Sequence, residues 1–168
     1  MISRILSTKF SLDSSILDFV ALRNEPNINR IMVLSEQHDL GYCFIIPHSV
    51  WVELDRPQTP ENVRKILPKF IKTMPVALNP QEIERMLTLF QVAAGNAQSK
   101  NIISDLQHVA ESAKYGNYLI TVDKRLLNRK DKVREVFPGL TVIEPIEALQ
   151  TLEQAIRMCS KEIQIQVY

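Results

Sequence analysis

A chain of 168 residues, 45% hydrophobic and 23% charged, is long enough for one domain with a true core and has an ordinary globular composition. Its net charge of +1 excludes a globally polycationic nucleic-acid binder, so any grip on nucleic acid must come from a local basic patch. Cys43 and Cys159 give neither a disulfide framework nor metal-ligand spacing, no apolar run reaches bilayer length, and MISRILSTKFSL is too polar for a signal peptide; the expectation is a protein of the reducing cytosol with no membrane partner.

Taken in order, Lys9 to Leu12 reads as a short first strand ending at Asp13, with Ser14 or Ser15 as N-cap of a helix through Ile16, Leu17, Phe19, Val20 and Leu22. A second helix is expected over Ile28 to Leu40, with Ile31, Met32 and Leu34 inward and Gly41 as its C′ residue. The apolar run Tyr42 to Ile46 fits a buried parallel strand, stopped by Pro47. Ser49 then suits the cap of a short helix carrying Glu53. Thr59 and Pro60 start another helix that ends or kinks near Pro68.

Thr73 to Leu78 reads equally as a small strand or an extended connection. Asn79 and Pro80 open a helix that frays at Gly95–Ser99. From Asn101, apolar residues at Ile102, Ile103, Leu106, Val109, Ala110 and Ala113 recur at helical spacing until Gly116 and Asn117. Tyr118 to Val122 is a buried strand, Arg125 to Val136 a basic helix, Leu140 to Ile143 a strand and Ile146 to Met158 a last helix. The closing EIQIQVY alternates like an edge strand, or is a tail that orders against a partner. This order predicts an α/β fold with a mostly parallel sheet and helices on both faces. One domain over 1–168 is expected, with its core over roughly 8–150 and a C-terminal helix and tail over 151–168.

Four acids fall near strand ends. Asp13 ends the first strand, Glu53 follows the second, Asp105 lies in the first turn or so of its helix, and Asp123 ends the strand which that helix feeds. Sites in open α/β sheets form outside the carboxyl ends of the strands. Each acid alone has a local explanation as a cap or a solvated residue. Together, converging carboxylates in a partly desolvated site would repel one another, by on the order of several kcal/mol, unless a cation relieves them. Mg²⁺ or Mn²⁺ suits such oxygen donors and binds phosphates, which points to metal-assisted phosphodiester hydrolysis. Ser14 and Thr121 read equally as groups that orient carboxylates and as local caps. Lys124, Arg125, Arg129, Lys130 and Lys132 directly follow Asp123 and read equally as a solvated helix face and as groups that hold a phosphate backbone. His108, three residues after Asp105, could face the site, but His48 and His108 read better as structural histidines, since the chemistry uses oxygen ligands. No Asp-x-Asp nucleophile and no GxxxxGK[ST] loop is present, against an aspartyl-phosphate phosphatase or a P-loop NTPase.

The segments FSLDSSIL, IPHSVWVEL, SDLQHVAESAKYGNYLITVDKRLL and GLTVIEP resemble the PIN-domain nucleases, the fold of VapC-type toxins, over roughly residues 9–150. Asp13 with Ser14, Glu53, Asp105, and the Asp of Thr121-Val122-Asp123 match the family's four acidic positions; Val122 stands where a small polar residue is frequent. The resemblance implies a PIN-like three-layer α/β/α fold and a ribonuclease. Asp13, Asp105 and Asp123 would hold Mg²⁺ or Mn²⁺, with Glu53 as a further ligand or acting through water. It also implies a homodimer and a small antitoxin partner, for which the helices between Pro60 and Ala97 are the candidate surface. The competing reading is a PIN-like module that binds RNA or protein without cutting.

Overall fold

The structure is a computed structural model describing residues 8–77, 79–94 and 100–165; at 83, 89–94, 100–103 and 159–165 it describes backbone only. The first strand, β1 (Phe10–Leu12), leads into helices α1 (Ser14–Leu22) and α2 (Pro26–Gln37). Strand β2 (Phe44–Ile46) is followed by α3 (His48–Leu54) and α4 (Glu61–Ile66), and β3 (Ile71–Lys72) by α5 (Pro80–Ala94) and α6 (Lys100–Tyr115). Strand β4 (Tyr118–Ile120), the short helices α7 (Lys124–Leu127) and α8 (Lys130–Val136), strand β5 (Thr141–Ile143) and α9 (Pro145–Ile165) complete the order.

The five strands form one all-parallel sheet in the order β3-β2-β1-β4-β5. Residues that alternate along a strand serve opposite faces. On β4, Ile120 enters one core and Leu119 the other; on β5, Ile143 and Val142 divide in the same way. The first core joins β1 and β2 to Ile16 and Leu17 of α1, Ile28 and Ile31 of α2, and Leu152 of α9. The second joins Leu119 to Met86 of α5, Leu106 and Val109 of α6, Leu126 of α7 and Val133 of α8. Each such fully buried aliphatic side chain contributes roughly 1.5–3 kcal/mol of transfer free energy. The result is the expected three-layer α/β/α arrangement. At the middle of the sheet, Phe10 pairs with Phe44 on one side and Tyr118 on the other, with stacked rings at centroid distances of 5.4 and 5.2 Å.

Several boundaries differ from the sequence expectations. Gly41 does not end α2; Asp39 takes the left-handed position (φ 52°), and the Leu40 and Asp39 amides donate to the Ser35 and Glu36 carbonyls, a Schellman closure. Gly41–Cys43 is instead a 3₁₀ turn, so β2 begins at Phe44. The third strand is Ile71–Lys72, just before the ambiguous Thr73–Leu78 stretch. The basic helix breaks into α7 and α8 around Asn128 and Arg129. The last helix continues through Glu162–Ile165 rather than giving way to a strand, because Lys161, Glu162 and Gln164 extend a helix begun at Pro145 as readily as they alternate. Gly95–Ser99 and residues 166–168 lie outside the described residues.

Candidate active site

The strand order reverses at β1. Chain leaving β1 passes to β2, chain leaving β4 passes to β5, and the two crossovers run in opposite directions along the sheet. A crevice between the carboxyl ends of β1 and β4 follows from that topology. Asp13 is the first residue after β1, and its amide donates to the Ile120 carbonyl, 3.1 Å away, as a last rung between the strands. Thr121 and Asp123 are on the segment leaving β4.

Asp13 is only 4% exposed. Its Oδ2 accepts from the hydroxyls of Ser15 (2.6 Å) and Thr121 (2.7 Å). Thr121 Oγ1 in turn accepts from the Asp123 amide at 3.0 Å, so one fully buried hydroxyl fixes both strand-end acids. Because its carboxylate is engaged in this way, Asp13 occupies the N-cap position of α1 without capping it through its side chain. Among the described residues, the serine that reaches Asp13 is Ser15, not the expected Ser14.

The remaining polar groups arrive on α6. Its apolar stripe, Leu106, Val109 and Ala110, enters the second core. Another stripe, Ser104, Asp105, His108, Glu111 and Ser112, repeats at the same helical spacing and is polar. His108, 2% exposed, stands between two acids: Nδ1 is 3.5 Å from Asp13 Oδ1 and Nε2 is 3.3 Å from Glu53 Oε2. Nδ1 has no well-formed hydrogen bond. Ser104 Oγ lies 3.5 Å from Glu53 Oε2 and 3.3 Å from His108 Nε2. Glu111, fully buried, accepts from both the amide and the hydroxyl of Ser49 at 2.7 Å. Helix α6 therefore fixes α3 at its start through Glu111 and at its end through His108 and Ser104, which positions Glu53. Ser49, expected as the cap of α3, is itself the group being capped.

Asp105 is the sixth residue of α6, in its second turn. It faces Arg125, whose Nη2 is 3.4 Å from Asp105 Oδ2 and 2.6 Å from Asp123 Oδ2. The structure thus brings all four predicted acids to one rim as two linked sets, Glu53–His108–Asp13 and Asp105–Arg125–Asp123. Of the basic residues, Lys124 is exposed, Arg129 donates to the Arg125 carbonyl (3.4 Å), and Lys130 pairs with Glu147 (3.8 Å).

The electrostatics follow from burial and pairing. Burial pushes the Asp13 carboxyl up, but the neighbouring His108 and the hydroxyls of Ser15 and Thr121 outweigh it and hold it below the ordinary carboxylate range. The His108 contact holds Glu53 low against partial burial, and Arg125 holds Asp123 low. Burial pushes Asp105 up to about 6, with Arg125 opposing and the charges of Asp123 and Asp13 assisting. Burial lowers His108, but the contacts to Asp13 and Glu53 prevail and raise it to about 9. His108 is therefore an imidazolium at neutral pH, with both ring nitrogens protonated and no lone pair for a metal. It serves as a counter-ion. With His108 and Arg125 charged, the ionised rim retains two uncompensated negative charges.

That oxygen-rich, doubly negative donor set fits a hard divalent cation in charge and chemistry. The carboxylates nevertheless face His108 and Arg125, and among the described residues no three His, Cys, Asp or Glu side chains form a ready-made metal cage. No model of a protein family matches the chain, and no curated protein matches it. The assignment of the rim therefore rests on geometry and charge. The sequence alone favours a structural His108 while leaving room for it to face the site, offers Ser15 only as a helix cap, and does not single out Ser104 or Glu111. The polar stripe of α6 is the signal that could have found Ser104, His108 and Glu111, since Ser104 and His108 are four residues apart and His108 and Glu111 three; no such signal marks Ser15, which lies on α1.

Proposed function

We propose that the chain is a Mg²⁺- or Mn²⁺-dependent phosphodiester hydrolase, a PIN-type ribonuclease. The observation that carries this reading is the gathering of Asp13, Glu53, Asp105 and Asp123, from four separate segments, at the switch point of a parallel sheet with two negative charges left over. The fit between that residual charge and a divalent ion supports a metal; the choice of RNA follows from the family resemblance. When bound, the ion supplies Lewis acidity and lowers the pKa of a coordinated water. Asp13, Asp105 and Asp123 would hold it, and Glu53 would hold it directly or through water. Thr121 and Ser15 keep Asp13 aimed, and His108 stands between Asp13 and Glu53 and offsets one of their two negative charges. Lys124 and Arg129, together with Arg125, would take the substrate's phosphates, contacts that position without reading sequence. On the same resemblance, the protein would serve as the toxin of a toxin–antitoxin pair, acting as a homodimer and neutralised by a small antitoxin over the helices between residues 60 and 97.

A binding module without cleavage is the second reading, favoured by one observation: His108 and Arg125 already neutralise part of the rim. The decisive experiment incubates labelled RNA and single- and double-stranded DNA with the purified protein and Mg²⁺ or Mn²⁺, beside Asp13→Asn and Asp123→Asn. Metal-dependent RNA cleavage is expected, reduced about a hundredfold or more in each variant. RNA retention without cleavage would select the binding module, and cleavage surviving both substitutions would place the chemistry elsewhere.

A further inference from the structure

We infer that Arg125 latches the acid rim in its metal-free state, holding Asp123 and Asp105 with its guanidinium until a divalent cation displaces it. This inference rests on the metal-dependent reading above. Arg125 Nε donates to Asp123 Oδ2 at 3.0 Å and Oδ1 at 3.2 Å, while Nη2 donates to Oδ2 at 2.6 Å. The Arg125 backbone amide adds a fourth contact, to Oδ1 at 2.8 Å. Three N–H groups of this one residue thus engage both oxygens of Asp123, the single Nε hydrogen being shared between them. Nη2 also reaches Asp105 Oδ2 at 3.4 Å. Two of the proposed metal-holding acids are therefore occupied by one cation of the chain itself.

The same residue is built to let go. Its side chain is 51% exposed, and it sits on a four-residue helix that contributes Leu126, not Arg125, to the core. The guanidinium can move into solvent without unpacking anything. His108 differs on every count: 2% exposed, enclosed by α3, α6 and β1, it remains with Asp13 and Glu53 whether or not the outer pair is latched. The rim thus has one fixed counter-ion and one exchangeable counter-ion. A released Arg125 presents a planar fork suited to a phosphate, next to the site that had held it.

The test is titration of the full chain with Mn²⁺ alone, followed by calorimetry and by the loss of free-ion paramagnetic resonance signal. Wild type, Arg125→Gln, Arg125→Lys, Lys124→Gln and Asp13→Asn are compared, with circular dichroism to verify folding. Arg125→Gln is expected to bind Mn²⁺ about tenfold more tightly, the scale of one exposed bidentate charge-assisted pair. Arg125→Lys, which keeps the charge but lacks the planar fork that spans both oxygens, should also bind more tightly. Lys124→Gln, with the same charge change one residue away, should bind as wild type does. Unchanged or weaker binding in Arg125→Gln, or an equal gain in Lys124→Gln, would overturn the latch. If wild type binds Mn²⁺, Asp13→Asn does not, and Arg125→Gln matches wild type, the latch falls while the metal site stands. Absence of Mn²⁺ binding in every protein would overturn both.

Discussion

At the scale of single residues, the most consequential side chain is His108. Its folded-state pKa lies near 9, above the ordinary histidine value of 6.5. A histidine with a raised folded value stabilises the native state fully below its unfolded pKa, and that stabilisation is lost as pH climbs through the folded value. In the metal-free protein, kept so with a chelator, the melting temperature is expected to fall between pH 6.5 and 9. The loss corresponds to up to about 3 kcal/mol, from the separation of the two pKa values. His108→Gln should begin lower, since it leaves Asp13 buried without its cation, and should be nearly flat over the same window. A flat wild-type profile would contradict the charged His108 described above. The four acids were legible in the sequence because strand-end position is a strong signal. The cations that separate them were not, because which carboxylate an arginine or histidine reaches depends on side-chain direction across elements.

At the scale of elements, α6 determines the site. Its apolar stripe is what reveals it as a helix; its polar stripe is what the crevice uses. Sequence periodicity shows the apolar stripe directly, whereas the polar one resembles an ordinary solvated face until α3 is packed against it. The junction from α6 to β4 is correspondingly tight. The Gly116 amide donates to the Ser112 carbonyl at 2.7 Å, and a Cβ at this position would lie 2.7 Å from Ser11 Oγ and 3.2 Å from the Ser112 carbonyl oxygen. Ser11 is fully buried on β1 and cannot retreat freely. Gly116→Ala is therefore expected to cost about 1–3 kcal/mol by overpacking, measured by denaturant unfolding. An effect below a few tenths would mean that the strand shifts to make room. The C-terminal edge-strand expectation failed for the complementary reason. EIQIQVY alternates, but its first residues are also good helix formers, and a helix already underway needs no new nucleus.

At the scale of the molecule, the two cores share one sheet that is only three residues deep in its central strands. Leu119 and Ile120 are consecutive, fully buried, and belong to different cores. Leu119→Ala, which touches only the second core, is expected to cost about 2–5 kcal/mol. It should lower the midpoint of a single transition seen alike by near- and far-ultraviolet circular dichroism, because losing β4 removes the first core's floor as well. Separated transitions would mean that the two layers unfold independently. The α/β class and parallel pairing were readable from the order of elements. The 3-2-1-4-5 strand order was not, since short strands of similar composition do not specify their neighbours.

The hydrogen bond from Thr121 to Asp13 spans 108 positions of chain. That span sets a clock on biosynthesis. A polypeptide emerging from the ribosome carries Asp13 and Glu53 well before their partners on α6 and β4. At typical elongation rates the interval is on the order of ten seconds. The large loop must then close before β4 can pair with β1, a slow, non-local step. Whatever chemistry the acids perform, the growing chain is incapable of it until β4 has emerged, and the crevice assembles only after everything between Asp13 and Asp123 has been made.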